Sequence, residues 1–183
     1  MNRVLVTSAA VATCVAVSGV SALAVAPALF ETHFANVQGG TPCYARTYDD
    51  AHLKAHPKQT VKAVELEMER TNPDGIVNTA QNFELGFGVQ VTRSDEWYVG
   101  LAICKDSGGA IDCFLEGDGG RFQLAAEKDG ALKIATGDYG IVLEGAKDVV
   151  ELSGTEGDDK VFLVSPSDRS VCDAASASGE TAP

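Results

Sequence analysis

Every second residue of the run FELGFGVQV, from Phe83 to Val91, is apolar, and this period of two is the strongest constraint the chain carries. Successive side chains of a strand point to opposite faces, so such a run is a strand with one face in a core. The alternation recurs in Val64-Leu66-Met68 and over 97–104, 111–116, 121–127, 131–136, 139–144 and 149–152, with VFLV at 161–164 as a last candidate. Gly, Asp and Asn separate the runs at spacings of about ten residues. The chain is therefore expected to be all-β. An antiparallel meander of about eight strands would bury its apolar face in either a closed barrel or a two-layer sandwich.

The turn residues fix how the runs pair. With Gly108-Gly109 as a two-residue hairpin loop, Asp106 faces Ile111, Lys105 faces Asp112 and Cys104 faces Cys113. Counted outward from the loop, the cysteines fall at a non-hydrogen-bonded pair, where Cβ atoms lie closest, so a Cys104–Cys113 disulfide is expected. With Asp118-Gly119 as the next two-residue turn, Glu116 faces Arg121, Leu115 faces Phe122 and Cys113 faces Leu124. At Asp129-Gly130 such a turn would set Ala126 against Lys133. A three-residue loop with Gly130 in the left-handed conformation instead aligns Ala126 with Leu132 and Leu124 with Ile134. A two-residue turn at Gly137-Asp138 then pairs Ile134 with Ile141 and Leu132 with Leu143.

One run does not alternate cleanly. Trp97, Val99, Leu101 and Ile103 are apolar on the face opposite Cys104, and Phe114 lies across from Ile103. Such a strip needs a cover, and three are open: the N-terminal segment before residue 60, the second sheet of a sandwich, or a protein partner. These five residues are the candidate partner surface.

The first thirty residues hold one basic residue, Arg3, and no acid, and they are rich in Ala and Val. Ala22-Leu23-Ala24 suits signal peptidase, with Ala26-Pro27-Ala28 as a later option, so 1–24 reads as a signal peptide. The run is also long enough to span a bilayer, which leaves a retained anchor as the competing reading. Cleavage removes Cys14 and leaves Cys43, Cys104, Cys113 and Cys172. Four cysteines in an exported chain read as two disulfides, and Cys43–Cys172 follows by elimination. Residues 25–42 are expected as a tether and 43–173 as a single domain. The tail at 174–183 is too small and polar to pack.

Beyond residue 24 stand 26 acidic residues against 13 basic ones. That balance repels phosphate backbones and anionic membrane surfaces, so neither nucleic acid nor, once the signal is cleaved, a membrane is an expected partner. A monomer is expected.

Chemistry-bearing residues gather in CYARTYDDAHLKAHPKQ. Tyr44, Arg46 and Tyr48 alternate, and His52 and His56 share a helical spacing, which makes these five the candidate ligand contacts. A short N-terminal helix starting at Asp49 or Asp50 and ending near His56 accounts for the histidines without a metal, because Pro57 disfavours helix at His56 and no third ligand follows. EGDGG and GTEGDD cluster carboxylates but lack the spacing that surrounds one calcium ion. No metal, no cofactor and no catalytic residue is expected.

Taken together, CYARTYDDAHLKAHPKQ, CFLEGDGG and GDDKVF resemble a family of small exported four-cysteine bacterial proteins with no assigned activity, over about residues 43 to 172. The resemblance implies an exported β domain and brings no catalytic residues. The size and strand pattern also look like lipocalin-type barrels and periplasmic inhibitors of proteases or lysozymes, without the G-x-W of the former or an inhibitory loop of the latter. Likeness of fold carries no function. The expected function is non-covalent binding, to a small molecule or a protein partner, in the periplasm or outside the cell. The alternatives are an inhibitor of an envelope or secreted hydrolase, or a carboxylate-dependent hydrolase acting on polysaccharide.

Overall fold

Period-two patterning produces ten strands, here in a computed structural model that describes residues 28–35, 41–68, 77–138, 140–152 and 157–173. The expected signal segment, the tail at 174–183, Tyr139 and the first half of GTEGDD lie outside the described residues. The strands are β1 (Cys43–Thr47), β2 (Val61–Glu67), β3 (Phe83–Val91), β4 (Trp97–Asp106), β5 (Ile111–Leu115), β6 (Arg121–Ala126), β7 (Leu132–Ala135), β8 (Ile141–Glu144), β9 (Val149–Leu152) and β10 (Val161–Pro166). One helix, α1 (Asp50–Ala55), joins β1 to β2. Asp49 caps it by accepting a hydrogen bond from the His52 N–H at 2.7 Å, and the His56 N–H closes it on the His52 carbonyl.

Strands β1 to β7 run as an antiparallel meander, β10 inserts between β7 and β1, and the pairing of β3 with β4 closes the ring. The result is a closed eight-strand barrel rather than a sandwich. Closure removes the sheet edges that an open sheet would expose. The hairpin β8–β9 stands outside the ring, joined to β4 through Val99 opposite Glu144.

The interior is a packed core. Phe87 on β3 and Phe122 on β6 meet across the lumen with ring centroids 5.0 Å apart. Gly100 is inward on β4, and a Cβ there would lie 2.9 Å from Leu115 and 3.0 Å from Leu143, so a glycine is what lets the hairpin close that end. A bulge at Lys62 turns both Val61 and Val64 inward although they are three positions apart. Asp159, ahead of β10, accepts from the Thr60 and Val61 amides and the Thr60 hydroxyl at 2.7–3.1 Å. Those bonds stitch the starts of β2 and β10 together.

Both disulfides form as expected. Cys104–Cys113 lies inside the barrel with Cα atoms 4.1 Å apart, and Cys43–Cys172 joins β1 to the C-terminal segment at 5.9 Å. The register of the first hairpin is the expected one, with Asp106 opposite Ile111 and Lys105 opposite Asp112. Only Gly108 of its two loop residues has positive φ (89°), which is the type II′ pattern. The Asp129-Gly130 loop also holds: Ala126 pairs with Leu132, Leu124 with Ile134, and Gly130 has φ 74°.

Two turns differ. Phe114 lies opposite Arg121 and Cys113 opposite Phe122, so the β5–β6 pairing is slipped by two residues and Glu116 does not face Arg121. The cause is tertiary: Gly119 accepts from the Val142 N–H at 2.9 Å and Gly120 bridges Ile141, which draws the loop out towards β8. A slip of two preserves which side chains face inward, so the core is unchanged. At Gly137-Asp138 the chain does not turn back on β7. The edge of β7 is taken by β10, with Phe162 opposite Ile134 and Val164 opposite Leu132. Ile141 and Leu143 instead pack against the barrel end from β8 and are buried there.

Candidate functional site

Three regions of the surface gather the candidate residues. On the outer wall, β4 carries Trp97, Val99, Leu101 and Ile103 in one row, and β5 sets Phe114 beside Ile103. Trp97, Val99 and Leu101 are half-buried, whereas Ile103 is 46% and Phe114 55% exposed. The strip is therefore one continuous outward row whose far end is bare. Opposite Val99 and Leu101 on β3 stand Gly88 and Gly86, which contribute no side chain between the row and β2. Beyond Phe114 a groove of about 360 Å³ continues over β6 and β7, lined by Asp112, Phe114, Arg121, Gln123, Ala135 and Gly137. Val161 and Leu163 extend the exposed apolar wall on β10. The sequence signal for those two was the unbroken apolar run VFLV, which supplies both faces of one strand.

A second region lies at the barrel end that carries α1. The Arg46 guanidinium sits 4.8 Å from the Tyr48 ring centroid, Tyr48 stacks on His52 at 4.6 Å, and His52 stacks on His56 at 4.4 Å. Capping by Asp49 and the i, i+4 spacing on α1 place the histidines in that column. Tyr48 is buried, and desolvation pushes its hydroxyl up, with the Arg46 charge opposing. His52 Nε2 lies 3.0 Å from Gln59 Oε1. Stacked rings present faces rather than converging lone pairs, and among the described residues no three His, Cys, Asp or Glu side chains gather. The column suits a planar group better than an ion.

Tyr44 does not join this column. It is buried near the opposite end, where desolvation pushes its hydroxyl up to about 12. That end is closed by residues 28–35, within the stretch expected as a tether. Leu29, Phe30 and Phe34 are buried there, with Phe30 4.8 Å and Phe34 5.6 Å from the Phe83 ring and Phe34 5.8 Å from Tyr44. The Phe30 N–H donates to Asp106 Oδ2 at 2.7 Å, and the Tyr44 hydroxyl donates to the His33 carbonyl at 3.0 Å. The described N-terminal turn thus seals the mouth and does not lie over the Trp97 strip. Its apolar residues directly follow the apolar run expected as a signal peptide, which hid them as part of that run.

The two disulfides point to an oxidising compartment outside the cytoplasm. Among the described residues no helix is long and apolar enough to cross a membrane. No protein-family model matches the chain, and neither a curated protein nor a solved structure is found to resemble it.

Proposed function

We propose that the protein is exported, to the periplasm or beyond the cell, and acts by binding a protein partner on the outer wall of the barrel at Ile103 and Phe114. The observation that carries this reading is the contrast between lumen and wall. Phe87 and Phe122 meet at the barrel axis, where a carrier would keep space for its ligand, while Phe114 is 55% exposed on a rigid, disulfide-braced hairpin. An exposed aromatic beside an arginine, here Phe114 opposite Arg121, is the composition of interface anchors. Trp97, Val99 and Leu101 would extend the contact along β4. Membership of the exported four-cysteine family that the sequence resembles belongs to the same proposal, as does a signal peptide over 1–24. Inhibition of an envelope hydrolase is one form such binding would take.

A photo-crosslinking residue placed at position 114, compared with one at Lys128 on the far turn, tests the reading in the native extract. A discrete protein adduct at 114 and none at 128 is the expected result. Equal labelling at both positions, or none at either, would remove the wall as the binding surface. The Arg46–Tyr48–His52–His56 column supports a second reading, a small planar ligand at the α1 end. Chemical-shift changes confined to those residues on adding such a ligand would favour it.

A further inference from the structure

The mouth of the barrel is sealed by a turn that belongs to none of its strands. Residues 29–34 are held by the Phe30 and Phe34 rings, by the Phe30 N–H on Asp106 and by the Tyr44 hydroxyl on the His33 carbonyl. Within the turn the Thr32 Oγ lies 3.1 Å from the Leu29 carbonyl and 2.7 Å from His33 Nδ1, so it can serve Nδ1 as donor or as acceptor. The other nitrogen, Nε2, is buried and has no hydrogen-bond partner among the described residues. The imidazolium bears an N–H on both nitrogens, so protonation places a charged N–H at Nε2, where it meets no acceptor among the described residues.

We propose that the N-terminal turn is an acid-released plug: protonation of His33 loosens residues 29–34 from the barrel mouth and bares the rings of Phe83 and Tyr44. Among the described residues none of the groups packed around the turn accepts from Nε2. From β1 comes Tyr44, ring centroid 6.2 Å away, whose hydroxyl is pushed up to about 12 and stays neutral. From β3 comes Phe83, through Phe34. From β4 comes Asp106, whose two oxygens already accept the Phe30 and Gly108 amides at 2.7 Å each. On the turn itself Glu31 is exposed. Desolvation lowers the His33 pKa from 6.5, against a smaller raising effect from the Leu29 carbonyl. The folded value lies below the unfolded one, so the neutral ring's contribution is complete above pH 6.5 and is lost as pH falls through the folded value.

Amide exchange of the whole folded protein tests this, with the Phe30 amide as reporter and Leu124 on β6 as the reference for the barrel. Between about pH 7.5 and about pH 5, Phe30 protection, corrected for intrinsic rate, should fall relative to Leu124. The fall should be about tenfold for each unit separating the two pKa values. His33→Phe keeps the ring against Tyr44 without a titrating nitrogen and should hold protection level; His33→Gln is the second non-titrating variant should the first not fold. Asp106→Asn should lower protection at both pH values and keep the step. The proposal is overturned if wild-type Phe30 tracks Leu124 at both pH values. It is equally overturned if both His33 variants keep the step, or if Asp106→Asn alone abolishes it.

Discussion

Two sides of the same barrel wall treat their side chains in opposite ways. On β2 the outward residues are acidic and buried, Glu65 at 6% and Glu67 at 1% exposed, while on β4 and β5 the outward residues Ile103 and Phe114 are apolar and bare. The difference lies in what the chain lays over each side. At β1–β2 the segment after β10 returns, ties Cys172 to Cys43 and sets the Arg169 Nε 2.9 Å from Glu67 Oε1. Charge is tolerated there because it was paired as it was buried. The β4–β5 wall has its exposed aromatic on the hairpin that the Cys104–Cys113 disulfide braces. Among the described residues the C-terminal segment covers the polar side and leaves Ile103 and Phe114 exposed, which is the contrast the proposed function rests on.

Cutting the covered side loose should have the largest effect. Replacing Cys43 and Cys172 by serine opens a loop with a sequence separation of 129 residues. The chain-entropy estimate for a loop of that size is roughly 5 kcal/mol, measured as the loss of unfolding free energy in urea. A loss under about 1 kcal/mol would mean that the C-terminal segment holds to β1–β2 without its bond, and the contrast between the walls would weaken. Next in size is Phe34→Ala, which empties a buried position between Phe83 and Tyr44 and should cost about 3 kcal/mol by the same measurement. An unchanged stability would show that the mouth closes without the N-terminal turn.

Which parts of this contrast could be read from residues alone follows from how local each determinant is. The Cys104–Cys113 hairpin was legible because loop, charge pair and cysteines all lie within one pair of strands. The Gly130 loop was legible for the same reason, since only one loop length keeps Leu124 beside Ile134. The Asp118-Gly119 turn was not, because the residues that decide it, Ile141 and Val142, lie in a later strand. The displacement of β8 from β7 depends on β10, further on still. Of the candidate sites, the Trp97–Phe114 row was legible as a breach of alternation. The Arg46–Tyr48–His52–His56 column was half legible: spacing joined the histidines, but nothing local separates Tyr44 from Tyr48. Only the plug assigns Tyr44 to the other end.

A smaller effect is expected from Arg169→Ala. Glu67 stays buried while the guanidinium that faces it is lost, and a hydrogen bond to a charged group contributes about 1.5 kcal/mol at the low end of its range. The low end applies because the Arg169 side chain is more than half exposed and water screens it. Adding Glu67→Gln to Arg169→Ala separates two causes. Recovered stability in the double variant would place the cost in an unpaired charge, whereas a further loss would place it in the packing of the C-terminal segment.

The smallest change in stability should come from Phe114→Ala, and it bears most directly on function. Its ring is more than half in water, so truncation should move the unfolding free energy by no more than about 0.5 kcal/mol. Binding should respond out of proportion, since a central aromatic anchor contributes about 2 kcal/mol or more, some thirtyfold in affinity for a protein partner. Phe114→Ala measured against Val161→Ala, also exposed but on β10, tells a docking site from general stickiness. A loss of the partner on the first substitution alone locates the contact on β4–β5. Equal losses on both would spread it over the whole apolar wall, and the two sides of the barrel would then differ only in what the chain covers, not in what they recognise.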